Sequence, residues 1–334
     1  MSNRNDSSTR AFETVTVKNN ISRQKIVIAI FVIIALIVLA FTTLIIGQVI
    51  KNAGTPDNPD VNKDLTYIPK EAGDYKLGSL LLVNEDFTYE LSNDFSNMIN
   101  LYEYQKAEKN DAYTHINGYT TYSLTYVSIA LETNTLNAFN QMILDYCATL
   151  DLSGADKNSA SNLVVAWGGY TESTKHEYKD DIANIGKDYY DHGLGTTLTL
   201  KSYEPSVVVT EEILKTDFNW IYQNAHKYGF IIRFPDSCKD HTGFDGSKRI
   251  HLRYVGVEHA TYIHENNICL EKYLEQLRSS HSVNSPLTVA VGEKTYQIYY
   301  VKYNGNPTSV PVPKGSTYTI SGDNMNGFIV SVEK

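Results

Sequence analysis

Residues 218–256 read FNWIYQNAHKYGFIIRFPDSCKDHTGFDGSKRIHLRYVG, and this stretch decides the fold. Phe218, Ile221, Ala225 and Tyr228 recur at helical spacing, and Gly229 follows as a C-terminal cap. Phe230-Ile231-Ile232 and His251-Leu252-Arg253-Tyr254-Val255 read as two short strands. A helix, a stop and two strands in close succession predict an α+β domain.

Upstream, Leu136, Phe139, Ile143, Tyr146 and Cys147 predict an amphipathic helix over 134–149. Leu163-Val164-Val165-Ala166 has the pattern of a buried strand. Residues 76–131 mix short apolar runs with turn residues and carry little signal. Downstream, 265–277 reads as one further helix. From Pro286 the pattern changes to period two: Leu287, Val289, Val291, then Tyr296, Ile298, Tyr300, then Tyr318, Ile320, then Phe328, Val330, Val332. Gly292, Asn304-Gly305, Lys314-Gly315 and Gly327 punctuate these runs, which predicts a small all-β module. Fifty residues without a disulfide are marginal for an independent β fold, so the tail is expected to dock through Tyr296, Ile298, Phe328 or Val330.

The N-terminus is different again. Ile26 to Ile50 carries no charge, and Lys25 and Lys51 bracket it. At ~1.5 Å per residue the run reaches ~37 Å, enough to cross a bilayer. It is too long for the h-region of a cleaved signal peptide. Residues 1–25 carry five basic and two acidic side chains, which predicts an N-terminus in the cytoplasm and a large domain outside the cell membrane. Residues 51–65 are rich in Pro, Asn and Asp and read as a linker. The rest of the chain holds 24 basic and 36 acidic residues, which argues against nucleic acid as a partner. Three cysteines, Cys147, Cys238 and Cys269, make no disulfide framework, though a single Cys238–Cys269 bridge stays open.

No HExxH, GxSxG, GxGxxG or P-loop occurs, so any site is assembled from separated strands and loops. Three further pieces matter: Asn224 to Phe230, NAHKYGF; Asp240 to Phe244, DHTGF; and His251 to Gly256, HLRYVG. In this order they resemble the VanY-like D-Ala-D-Ala carboxypeptidases, zinc peptidases that trim cell-wall stem peptides. The resemblance runs over about residues 76–278. Leu163 to Tyr178 falls where the family has a strand followed by SGYRS and a Gln, and Asp191 to Thr199 where it has SxHxxGxxxD.

The resemblance implies a zinc held by His192 and His251, with a general base three residues before His251. Three protein ligands fix such a metal, and a carboxylate takes the proton of its bound water. This sequence keeps only part of that set. Thr199 stands at the ligand Asp, Lys248 at the catalytic Glu, Thr171 at the substrate-holding Arg, His176 at the Gln, and Tyr190 at the family Ser. Threonine is a poor zinc ligand. An ammonium accepts no proton, and at ~6 Å it opposes Zn²⁺ by roughly 5 kcal/mol before screening. Tyr170 and Thr171, with His176, remain the substrate-binding candidates. The Gly243–His251 loop is one residue longer than the family spacing, which leaves room for Asp245 or Asp191 to offer a carboxylate instead.

The expected architecture is a VanY-like zinc-peptidase fold of class α+β with an N-terminal transmembrane helix and a C-terminal all-β module. Its segments are a cytoplasmic tail 1–25, a transmembrane helix 26–50, a linker 51–65, a carboxypeptidase-like domain 66–282 and a β module 283–334. The expected function is binding of a peptidoglycan stem peptide or an envelope protein by a catalytically impaired relative. The alternative is an active zinc D,D-carboxypeptidase.

Overall fold

The computed structural model describes residues 67–89, 94–174, 187–242 and 250–334, with backbone only at 174 and 187–190. The expected tail 1–25, membrane helix 26–50 and linker 51–65 lie outside these residues. Among the described residues no helix is long and apolar enough to cross a membrane.

The principal elements are β1 (Tyr67–Ala72), β2 (Ser123–Leu124), α1 (Thr133–Cys147), β3 (Leu163–Trp167), β4 (Thr197–Ser202), α2 (Asn219–Asn224), β5 (Phe230–Ile232), β6 (Ile250–Tyr254), α3 (Val257–Glu265), α4 (Leu270–Ser280), β7 (Leu287–Val291), β8 (Lys294–Lys302), β9 (Thr308–Pro313), β10 (Tyr318–Gly322) and β11 (Gly327–Glu333). The central sheet has the order β2-β3-β4-β6-β5, parallel only at β2–β3.

Period two divides this sheet into two chemistries. Leu163, Val165, Leu198, Leu200, Ile250 and Leu252 enter one hydrophobic cluster, shared with Leu136, Phe139, Met142 and Ile143 of α1. Those α1 residues recur every three to four positions, so one helical stripe covers the sheet. Glu132 caps α1 by accepting from the backbone N–H groups of Asn134 and Thr135. The alternate positions, Thr197, Thr199, His251 and Arg253, are buried on the opposite face without joining that cluster. The expected helix around 218–228 is α2 continued by a 3₁₀ turn, and it stops at left-handed Gly229.

One expectation is corrected. The helix expected over 265–277 is α4, Leu270–Ser280: Glu265 instead ends α3, and Asn267 takes a left-handed backbone, φ 49°, between the two. Asparagine visits that region more readily than most residues.

The C-terminal strands form an antiparallel sheet of order β7-β8-β11-β10. Leu287, Val289, Ile298 and Ile329 share a core with Ala260, Ile263, Leu270, Leu274 and Leu277 of α3 and α4, and Tyr296 packs at its margin. Phe328 and Val330 do not dock there. They alternate to the other face and pack with Val310, Val312 and Ala72. β1, from the start of the described chain, pairs antiparallel with β9 from Tyr67↔Pro313 to Ala72↔Thr308. The tail is therefore closed by a strand some 240 residues away in sequence, and all described residues fall in one compact unit. Ile298 is fully buried in the shared core, so Ile298→Ala is expected to cost about 2–5 kcal/mol, read from urea unfolding. A loss below about 1 kcal/mol would show that the tail contributes little to the core.

Candidate functional site

The β4–β6 register sets Thr199 opposite His251, and a short turn before β4 brings in His192. His192 Nε2 lies 3.0 Å from Thr199 Oγ1, and Thr199 Oγ1 lies 3.2 Å from His251 Nδ1. The imidazoles stand edge-to-face, 5.3 Å between centroids. All three residues are at most 1% exposed. A hydroxyl donates one hydrogen bond and accepts others, so it satisfies both ring nitrogens at once when one is protonated and the other is not.

The turn exists because Gly195 takes φ +71° and donates its N–H to His192 O at 2.8 Å. A Cβ at Gly195 would lie 2.5 Å from Met98 Sδ, and one at Gly169 would lie 3.0 Å from His192 O. Only glycine allows this approach of the β3 end to the His192 turn.

Behind the His–Thr–His group lies a buried charge network. Asp191 Oδ2 sits 3.2 Å from both Arg233 Nε and Arg253 Nη1. Arg233 also pairs with Glu271 at 2.8 Å. The arginines are 0% exposed and Asp191 2%. Arg253 Nη2 donates to Ser79 O at 2.9 Å and Leu81 O at 3.2 Å, so the network also fastens the segment before Val83. Two cations and two carboxylates balance in charge, the condition for ion pairs to persist away from water. Burial alone would raise the Asp191 carboxyl, but Arg233 and Arg253, helped by His192 and His251, hold it below the usual carboxylate range.

This answers the sequence alternative for Asp191. Its Oδ1 lies 3.8 Å from His192 Nδ1, on the side of the ring away from Thr199, and its Oδ2 is committed to the two guanidiniums. At that distance Asp191 Oδ1 makes no hydrogen bond to His192, and the carboxylate is held by the arginines instead. Lys248, His176 and Asp245 lie outside the described residues. Tyr170 is buried and packs edge-on against Phe95, 5.5 Å between centroids. The Thr171 hydroxyl lies 2.9 Å from Ser173 Oγ. Glu271 and Arg233 were not singled out from sequence. An arginine inside the apolar run Phe230 to Phe234 was the available signal, since a charge there needs a buried partner.

Zinc calls for three His, Cys or carboxylate ligands and an open position. The described donors are two imidazoles and one neutral hydroxyl, and among the described residues no group of three or more His, Cys, Asp or Glu comes together. This donor set does not fit a zinc site. The three cysteines are buried and free, and burial pushes the Cys147 and Cys269 thiols up to about 12.

The site thus sits on a mixed central sheet of an α+β fold, with a helical layer on one face and a buried His–Thr–His group on the other. Residues 165–257 match the VanY family, D-alanyl-D-alanine carboxypeptidase. A D-alanyl-D-alanine carboxypeptidase of Enterococcus faecium is 28% identical over 287 residues, 85% of this chain and 82% of that protein. Another, from Enterococcus faecalis, is 40% identical over 57 residues, 17% of this chain and 21% of its own. The vancomycin-resistance D,D-dipeptidase VanXYg, solved with a D-Ala-D-Ala phosphinate analogue, superposes with a TM-score of 0.59 at 19% identity, covering 81% of this chain and 99% of its own, a likeness of fold. Residues 165–257 thus carry the VanY family pattern, and the chain resembles the D-alanyl-D-alanine carboxypeptidases over most of its described length.

Proposed function

We propose that this protein is a membrane-anchored, extracytoplasmic member of the family in which cleavage has been given up and binding of a wall stem peptide retained. The observation that carries the reading is the Thr199 hydroxyl between His192 and His251, where the family has a metal-ligating carboxylate. Lys248 at the general-base position supports it from sequence. The anchor rests on the charge-free run Ile26 to Ile50 and its basic inner flank. A docked envelope protein is the second candidate ligand of the same cleft.

Purified full-length protein is expected to carry well under one zinc per chain and to release no D-Ala from a pentapeptide stem. Stoichiometric zinc that disappears on changing His192 or His251, with chelator-sensitive D-Ala release, would overturn the reading in favour of an active zinc D,D-carboxypeptidase. The similarity to the E. faecium enzyme over 82% of its length favours that second reading. Protease added to intact spheroplasts is expected to remove the large domain, and its protection would remove the topology.

A further inference from the structure

Cys238 and Cys269 meet inside the protein. Cys238 ends the 3₁₀ turn Asp236–Cys238 that follows β5, and Cys269 is the N-cap residue of α4. Both are 0% exposed, and their thiols share a hydrogen bond. Other groups hold the same two segments together. Ser237 Oγ donates to Asn267 Oδ1 at 3.3 Å. Arg233, five residues before Cys238, pairs with Glu271, two residues after Cys269, at 2.8 Å. The short helix Lys239–Thr242 that continues the turn packs on α4. Contacts on both sides of the two sulfurs thus fix their approach.

A buried free cysteine usually serves as a small apolar side chain. Cys147 fits that role, since it belongs to the hydrophobic cluster under α1. Among the described residues, Cys238 and Cys269 join none of the three hydrophobic clusters. They sit instead beside the charge network, with Cys269 close enough to Arg233 for their charges to interact. A guanidinium and a helix N-terminus both stabilise a thiolate, which favours Cys269 as the attacking sulfur. In the closed fold burial prevails and pushes the Cys269 thiol up to about 12. Exchange therefore takes place during folding or local opening, and the closed fold then shields the product from reductant.

We infer that Cys238 and Cys269 form a disulfide, by exchange with a small-molecule disulfide, that ties the turn after β5 to the start of α4. Cys269 loses its proton, and its sulfur attacks one sulfur of the oxidant, whose other half leaves as a thiol. Cys238 then loses its proton and attacks the Cys269 sulfur of the mixed disulfide, which releases the second half. Two protein thiols give up two electrons and two protons, and the oxidant becomes two thiols. The bond closes a loop that carries β6, with His251 and Arg253, and all of α3. An extracytoplasmic domain is placed where thiols are not kept reduced. The inference does not depend on whether the His192–His251 centre cleaves.

The test uses the full-length protein in detergent, equilibrated with oxidised and reduced glutathione in urea and then returned to buffer. The product is denatured, alkylated with N-ethylmaleimide and weighed intact. One adduct is expected, on Cys147, with a peptide joining residues 238 and 269 in a non-reducing digest. Reduction in denaturant before alkylation should give three adducts. Closing a loop of about 30 residues is expected to raise the urea midpoint by roughly 1 M over the reduced protein. Cys147→Ala should keep that difference, and the double variant Cys238→Ala with Cys269→Ala should lose it. Three adducts after glutathione, a linkage that involves Cys147, or a double variant whose midpoint still responds to reductant would each overturn the pairing.

Discussion

Thr199→Asp is expected to give a chain that holds a stoichiometric zinc ion, where the parent is expected to carry well under one. The Thr199 hydroxyl is already within 3.0 and 3.2 Å of the two imidazole nitrogens. A carboxylate on the same β4 position would add the third strong donor, and zinc bonds of ~2.0–2.2 Å would replace the present hydrogen bonds. Affinity is expected to rise by at least about a hundredfold, since a neutral hydroxyl gives way to a charged ligand. Atomic-emission analysis after dialysis reads the result, and adding His192→Ala to the variant should remove the ion. A folded Thr199→Asp protein that stays free of zinc would mean that the imidazoles are not disposed as ligands. D-Ala release is not expected from this change alone on the proposed reading, in which Lys248 stands at the general-base position. The double variant with Lys248→Glu tests that step.

Asp191→Asn is expected to be the most damaging single substitution for stability, at about 3–5 kcal/mol near pH 7. The amide keeps the shape of the side chain but removes the charge that faces Arg233 and Arg253 at 3.2 Å. Arg233 would keep Glu271, whereas Arg253 would keep only backbone carbonyls, including Ser79 O and Leu81 O. A buried cation without its partner bears most of the desolvation cost. The pH dependence follows from the same pairings. The Asp191 carboxyl is held low in the folded state, so its stabilisation is complete above the unfolded value near 4 and is lost as pH falls through the folded value. The parent protein should therefore lose stability steeply in acid, and the variant should show a shallower acid limb. Urea unfolding from pH 7 to pH 3 measures both. A cost under about 1 kcal/mol at pH 7, with an unchanged acid limb, would show that the network is not a source of stability.

Local patterns determined much of this protein. Helical spacing in 134–149 marks α1 to within two residues, the apolar run Leu163–Ala166 marks β3, the stretch His251–Val255 marks β6, and period two marks every strand of the tail except β9. These patterns are legible because each residue's side of a helix or strand depends on its near neighbours alone. Three residues singled out by motif position also lie together: the sheet register sets Thr199 opposite His251, and the turn before β4 brings in His192. Tertiary structure alone decided the rest. Asp191 reads in sequence as a spare carboxylate, and becomes an anchor only because Arg233 and Arg253, 42 and 62 residues away, converge on it. The tail reads as a module of its own, yet β1 completes it from the other end of the described chain. Phe328 and Val330 lie on the apolar stripe of β11, but which neighbour covers that stripe depends on the partner sheet. Charge compensation and strand pairing are relations between distant segments. A sequence shows which side chains need a partner, and only the folded chain decides which partner comes within reach.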